Sequence, residues 1–481
     1  MNNSIKTKAK KLFINGEWTE ALSGKTYDVL NPATKKVVAT VAYGSTEETR
    51  LAIKAANDAF PKWAALTAKE RAVYLTKLYE LMLKEKESLA ELITLEMGKP
   101  IKEARGEIEL AAEYLLWNAE EGKRIYGESI PATSPSKRLQ VLKQPIGPVG
   151  AITPWNFPVS MLTRKLGPAL AAGCTFVVKP ASKTPSSAIR LFELIEQVKF
   201  PKGVLNLVIG SSGHIGNEMM ENPAIKKITF TGSTAVGKKL IEGSSQQVKK
   251  VSMELGGHAP FIVFEDANLE EAAEGVIISK YRNSGQTCIC LNRLYVQKSV
   301  KNQFEILLTE KVNSLKIGNG IEESTEVGPL VDEEAIKKVE YQVEDALEKG
   351  GVLLTGGKRR NANELFFEPT LISNASPDME ISYEETFGPV APIYTFDSEE
   401  EVIEAANKTE YGLAAYFYTN DLGRSIRVAE KLEYGIVGVN DATPTVVQAP
   451  FGGVKQSGLG REGGHQGVEE YLETKFISIK F

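Results

Sequence analysis

The chain of 481 residues carries only three cysteines (Cys174, Cys288, Cys290) and three histidines (His214, His258, His465), so few of its side chains can attack a substrate or hold a soft metal. Cys288 is the candidate nucleophile. In Gly285-Gln286-Thr287-Cys288 it follows small and polar residues just beyond a helix-like segment, where backbone amides or Arg282 can stabilise a thiolate. Cys174, in Ala171-Ala172-Gly173-Cys174, reads as a packed core residue. Cys290, two positions past Cys288, raises reversible oxidation of the pair as a separate chemistry, provided the loop can bend to disulfide geometry. A Cys–His hydrolase needs a dedicated histidine, and nothing around His258 resembles such a motif. Glu254 is the more promising partner, because Glu254-Leu255-Gly256-Gly257 ends a strand-like run with a carboxylate able to act as general base. No metal site and no disulfide framework are expected from so few ligands.

These groups need a scaffold, and the length suggests about three domains, or two large ones with an appendage. Lys and Arg number 57 against 62 Asp and Glu, a net charge of −5, which argues against nucleic acid as a partner. A hydrophobic share of 42% with 25% charged residues is that of a globular enzyme. No apolar run approaches the ~18 residues of a membrane span, and Leu12-Phe13-Ile14 is too short for a secretory signal, so a cytoplasmic protein away from membranes is expected. Ser45-Thr46-Glu47-Glu48 has capping-box form ahead of a helical pattern, and further helical patterns run over residues 68–97 and 103–120. From Pro148 the rhythm changes to short β runs alternating with helices: 149–152, 175–179, 204–208 and 227–231. A second series begins near Pro260, with a strand at 261–264, a helix over 270–281 and a strand at 293–296. The pattern predicts an α/β fold of two open parallel-sheet, Rossmann-like domains.

Ligands of such sheets bind at the carboxyl ends of the strands, which directs attention to glycine-bearing turns. Gly458-Leu459-Gly460-Arg461-Glu462-Gly463 matches a dinucleotide fingerprint literally, but no strand leads into it, and a structural loop is the better reading. Gly232-Ser233-Thr234-Ala235-Val236-Gly237-Lys238-Lys239 follows a strand and opens a helix. Lys239 stands where a nucleotide triphosphatase needs a Mg²⁺-binding hydroxyl, which argues against that reading, while the turn can still place helix amides against a pyrophosphate without a metal. Gly210-Ser211-Ser212-Gly213 reads as an ordinary turn.

Taken in order, Pro154-Trp155-Asn156-Phe157-Pro158, Phe230-Thr231-Gly232-Ser233, Glu254-Leu255-Gly256-Gly257, Gly285-Gln286-Thr287-Cys288, Glu384-Glu385-Thr386-Phe387-Gly388-Pro389 and Pro450-Phe451-Gly452-Gly453 resemble the aldehyde dehydrogenase superfamily over essentially the whole chain. The resemblance implies a cofactor domain (1–121 and 145–253), a catalytic domain (254–454) and an oligomerisation extension (122–144 and 455–481) whose segments pair as β-strands across subunits of a homodimer or homotetramer. It implies that Cys288 attacks an aldehyde carbon, that Asn156 and the Cys288 amide receive the oxyanion, and that Glu254 activates water to hydrolyse a thioester. Ile152, Thr153, Pro154, Trp155, Lys179, Ser182, Gly232, Ser233, Leu255, Glu385 and Phe387 are the implied cofactor contacts. Where NAD-selective members carry a glutamate, this chain has Ser182, and with Lys179 and Lys183 nearby NADP is expected to be preferred over NAD.

Arg164 and Arg282 stand at positions which, in the succinate-semialdehyde dehydrogenase subfamily, meet the substrate's distal carboxylate, a task suited to a planar fork that stays charged. Thr445 stands where that subfamily places a serine hydroxyl, and the sequence through Cys290 and Asn292 is similar to it as well. Succinate semialdehyde is therefore the expected substrate, with glutarate semialdehyde, a general aldehyde, a CoA-acylating reaction and a non-catalytic relative as alternatives.

Overall fold

The structure, a computed structural model, describes residues 9–481. Its first sheet has eight strands in the order Glu17–Thr19, Leu12–Ile14, Leu205–Leu207, Phe176–Lys179, Val149–Ile152, Lys227–Thr231, Lys250–Glu254 and Gly458–Leu459. The inner five run parallel, and antiparallel strands close both edges. Parallel strands are covered on both faces, which is why Phe-Val-Val-Lys at 176–179 and Lys-Ile-Thr-Phe-Thr at 227–231 are buried without alternation. The chain works outward from Val149–Ile152 in one direction and then resumes at Lys227–Thr231 on its other side. That reversal opens a crevice at the carboxyl ends of the two strands.

The second sheet has seven strands, Val352–Thr355, Thr370–Ser373, Val390–Phe396, Leu291–Gln297, Ala259–Val263, Ala414–Tyr418 and Ile436–Val439, all parallel save the first. The hydrophobic core divides between Leu255, which packs in the first domain, and Ala259, which packs in the second. The peptide carrying Glu254-Leu255-Gly256-Gly257 is thus the crossing between domains.

The expected helix over 68–97 is two helices, Ala68–Lys84 and Lys86–Met97, broken at Glu85 (φ −99°, ψ 18°), whose carboxylate reaches Arg190 at 2.7 Å. Ahead of helix Thr46–Ala64, the Glu48 carboxylate accepts the Ser45 N–H at 2.8 Å, as the capping box requires. The two segments of the expected extension meet as strands within the chain. Leu472–Lys480 pairs antiparallel with Lys137–Pro145 of its own chain, and Glu128–Ile130 forms the other side of that three-stranded sheet. But 455–481 is not one piece. Gly458–Leu459 extends the first sheet, and Val468, Tyr471 and Leu472 pack in its core, because this apolar stretch has more to bury than a bridging ribbon offers. No helix among the described residues is long and apolar enough to cross a membrane.

Candidate active site

Helix Leu269–Tyr281 delivers the nucleophile loop. Asn283, Ser284 and Gly285 all take left-handed backbone angles (φ 53°, 56° and 75°), so the chain turns sharply before Cys288. A side chain on Gly285 would place Cβ 2.2 Å from the Gly388 carbonyl oxygen, which only glycine avoids. The strained turn is pinned at four points: Ser284 Oγ donates to Gly328 O (2.9 Å), Gln286 Nε2 to Asn283 O (3.1 Å), Val331 N–H to Gln286 Oε1 (2.9 Å) and Asn283 N–H to Glu103 Oε2 (2.8 Å). Cys288 emerges half-buried into a cavity of about 100 Å³.

Asn156 lies on the turn after strand Val149–Ile152. Its side chain is buried, and Nδ2 donates to Gln286 O at 3.0 Å, which leaves its other amide hydrogen without a partner among the described residues, beside the nucleophile loop. Glu254 ends strand Lys250–Glu254 and reaches the same region because two glycines follow it: a Cβ on Gly257 would stand 2.3 Å from the Cys288 carbonyl oxygen. Burial first, and then the charge of Glu462, raise the Glu254 carboxyl well above the ordinary carboxylate range, against the pull of Arg164, Lys165 and Arg461. Its Oε2 has no hydrogen-bond partner among the described residues. Burial also pushes the Cys288 thiol up to about 12, an effect Arg164 opposes.

Arg164, Arg282 and Thr445 all line the cavity with Cys288, but the two arginines stand in different electrostatic surroundings. Arg164, buried on helix Ser160–Ala172, forms an ion pair with Glu462 at 2.6 Å and lies 4.1 Å over the Phe451 ring. Glu462 also holds Lys165, which donates to Thr231 Oγ1 at 2.7 Å. Arg282 has no ion pair among the described residues and leans on Phe157, 5.7 Å from the ring centroid. Both expected anchors therefore line the cavity, but Arg164 shares the Glu462 carboxylate with Lys165, whereas Arg282 has no ion pair among the described residues. Glu462 was missed because it sits 297 residues beyond Lys165 in a glycine-rich loop with no local signal. The hydroxyls of Thr287 and Thr445, both on cavity-lining residues, lack hydrogen-bond partners among the described residues. Cys290 is turned into the core, with its Sγ 3.5 Å from Lys280 Nζ and 3.4 Å from Gly285 O, so pairing with Cys288 would require the loop to rotate it out.

The crevice is built from the ends of four adjacent strands. Ile152 pairs with Lys179 and with Phe230, and Thr231 pairs with Glu254, so the turns beginning at Thr153, Pro180, Gly232 and Leu255 stand side by side. Ser233 caps helix Thr234–Ser245, and a Cβ on Gly232 would lie 2.4 Å from the Phe230 ring. Leu255 packs under the same helix at Gly237, while its N–H donates to Ser457 O at 2.9 Å. Burial brings the Lys179 ammonium down to about 8, and its one hydrogen bond among the described residues is to Pro180 O (3.1 Å). The Thr153 hydroxyl is buried without a partner among the described residues. Across the crevice, Glu385 accepts the Gly257 N–H (3.2 Å), with burial raising its carboxyl to about 7. The Trp155 and Phe387 rings meet edge to face at 5.6 Å. A buried ammonium, a buried carboxyl and an orphaned hydroxyl around a helix N-terminus fit a dinucleotide. Ser182 presents its carbonyl to Tyr27 (3.0 Å), and Lys183 is held by Asp332.

The sequence profile of the aldehyde dehydrogenase family matches residues 18–477. The chain belongs to that family. It is 54% identical to glutarate-semialdehyde dehydrogenase of Pseudomonas putida and 53% identical to succinate-semialdehyde dehydrogenase (NADP(+)) GabD of Escherichia coli, each over 98% of both chains. The solved succinate-semialdehyde dehydrogenase of Burkholderia pseudomallei superposes with a TM-score of 0.97 at 50% identity, covering 99% of this chain and 100% of that one. The aldehyde dehydrogenase is thus an oxidoreductase with the two-domain α/β fold of its family, oxidising aldehydes with a nicotinamide cofactor.

Proposed function

We propose that this aldehyde dehydrogenase oxidises a short aldehyde bearing a distal carboxylate, succinate semialdehyde in the first instance, with NADP as the preferred cofactor. The observation that carries the substrate class is Arg282, a guanidinium without an ion pair among the described residues, lining the same small cavity as Cys288 and the unsatisfied hydroxyl of Thr445. A carboxylate bonded there aims the aldehyde end at the sulfur. Charge-assisted bonds of about 1.5–3 kcal/mol make such a site selective against aldehydes that lack the acid.

In this reading Cys288 adds to the aldehyde carbon as thiolate, and the oxygen of the thiohemiacetal is received by the other amide hydrogen of Asn156 and the Cys288 N–H. Because burial disfavours the thiolate, the Cys288 proton leaves, as the site fills, to the Glu254 carboxylate, whose Oε2 has no partner among the described residues, and from there to solvent. Glu254, poised well above the carboxylate range, then draws a proton from water that hydrolyses the thioester, and hydrolysis by water needs no CoA acceptor. The nicotinamide, when bound, supplies the hydride acceptor, with Glu385 and Phe387 at its ribose and ring. The buried Lys179 and the neutral Ser182 suit a 2′-phosphate, whereas a carboxylate at 182 would repel it. Lys183 pairs with Asp332 at the rim of the same region.

The deciding measurement is kcat/KM for succinate semialdehyde, glutarate semialdehyde and butanal, with NADP and NAD, in the parent and in Arg282→Ala. A loss of about 10²-fold or more confined to the carboxylated substrates establishes the arginine anchor; equal losses with butanal overturn it. Glutarate semialdehyde, the substrate in the Pseudomonas putida relative's name, differs by one methylene, worth about 1–3 kcal/mol, so the ratio of the two semialdehydes decides between them. Titration of cofactor fluorescence should show Ser182→Glu binding NADP more weakly and NAD more tightly than the parent does.

A further inference from the structure

Beneath the cavity, one ion pair has no role in the reaction as so far described. Lys99 Nζ and Glu107 Oε2 stand 2.6 Å apart with both side chains wholly out of solvent. Such a pair is a poor source of stability, since desolvating two charges offsets most of their attraction and apolar residues serve as well. Its remaining contacts lead to the reacting groups. Glu107 Oε1 accepts the N–H of Val159 (2.9 Å) and of Ser160 (3.2 Å), the first amides of helix Ser160–Ala172. That helix has no side-chain cap of its own, so a carboxylate from helix Ile101–Glu121 satisfies donors that would otherwise be orphaned in the interior and complements the helix dipole. Lys99 Nζ lies 3.6 Å from the centroid of the Phe157 ring. The short turn Asn156-Phe157-Pro158 is thereby held at its aromatic ring by Lys99 and at the helix that follows it by Glu107.

Lys99 is itself fixed to the nucleophile side. Gly98 is left-handed (φ 95°), and a Cβ there would meet Pro329 at 2.6 Å and Pro32 at 2.9 Å; one on Gly328 would meet the Gly98 carbonyl oxygen at 2.2 Å. The Gly328 carbonyl accepts the Ser284 hydroxyl, so the backbone against which Lys99 is set is the one that pins the loop ahead of Cys288.

We propose that Lys99 and Glu107 are a positioning pair that sets the Asn156 amide at the right place relative to Cys288, acting on turnover through Asn156 without touching substrate. The inference rests on the reading of Asn156 as oxyanion donor. Glu107→Gln keeps an acceptor for the helix amides but leaves Lys99 unpaired, and the strain falls on the turn. A displacement of an ångström or less at an oxyanion donor costs about 10- to 100-fold.

The test is a double-mutant cycle on the full enzyme with saturating NADP, with kcat expressed per Cys288 thiol titrated so that misfolded protein does not count. Glu107→Gln should lower kcat by about 10- to 100-fold while the aldehyde KM stays within about 3-fold, and in the Asn156→Ala background it should cost less than about 3-fold. The same loss of kcat in both backgrounds overturns the proposal, as does a fall only in the number of titratable thiols. If Asn156→Ala alone leaves kcat unchanged, the oxyanion reading fails instead. Should Glu107→Gln not fold, the cycle is run with Lys99→Met/Glu107→Gln, which leaves no unpaired buried charge; full parental kcat in that variant overturns the proposal, and a loss that vanishes without Asn156 supports it.

Discussion

Arg164 and Arg282 line one cavity, yet they belong to different kinds of structure. Arg164 sits on a regular helix inside the first core, its charge answered by Glu462 and its plane laid on Phe451, and Glu462 also binds Lys165 and raises the Glu254 carboxyl. Arg282 begins a turn of left-handed residues and has aromatic support but no carboxylate at ion-pair distance among the described residues. The same residue type therefore does two jobs. An arginine held in a buried charge cluster acts on the Glu254 carboxyl, which it pulls down, while one left unpaired beside empty space retains the free energy to bind an anion. Buried charge is informative about function only once its partners are counted.

Several substitutions would sharpen or break this contrast. Both walls matter only through Cys288, so Cys288→Ala should reduce kcat by at least about 10³-fold with any aldehyde and either arginine in place, as measured by cofactor reduction at 340 nm. Next in size, Arg282→Ala should lose about 10²-fold in kcat/KM with carboxylated substrates alone. Arg164→Ala should lose activity with butanal and succinate semialdehyde alike and lower Tm, since breaking a buried pair costs about 3–5 kcal/mol. If Arg164→Ala were the selective variant, the assignment of the two walls would be reversed. A smaller effect, of about 10-fold in kcat, is expected for Gly257→Ala, because its Cβ would force the Cys288 backbone away from the strand that carries Glu254.

The smallest effect is a pH slope. With the thiol raised to about 12 in the folded protein, the thiolate fraction grows with every step of pH below that value. Iodoacetamide labelling of Cys288 without substrate should then rise about tenfold per pH unit between 7 and 9. Arg164 opposes the shift, so Arg164→Ala should slow labelling at every pH in that range, whereas a plateau near pH 8 would show that the thiol is not held up.

The sequence by itself determined the two parallel sheets and singled out Cys288 and Glu254 as groups to watch, while the family resemblance added Asn156 and a domain boundary at residue 254. Each is written in short-range terms: β runs alternating with helices, glycines where backbone must approach backbone, and motifs of four to six residues that fold as local turns. The Gly458-Leu459-Gly460 segment was also legible as structural rather than as a dinucleotide loop, and Gly458–Leu459 is an edge strand against Met253 and Glu254. What only the tertiary structure decided is which charges are spent and which are free. Glu462 reaches Arg164 from the far end of the chain, Asp332 takes up Lys183, Glu107 caps a helix that begins more than 50 positions later, and Lys280 sits beside Cys290. None of these pairings leaves a trace in local spacing, since ion pairs and caps between distant segments depend on how helices and sheets pack. The resemblance implied that the C-terminal tail pairs as a strand with the segment near residues 122–144, but its register, Leu472–Lys480 against Lys137–Pro145 within one chain, is set by how the edges meet in the folded chain.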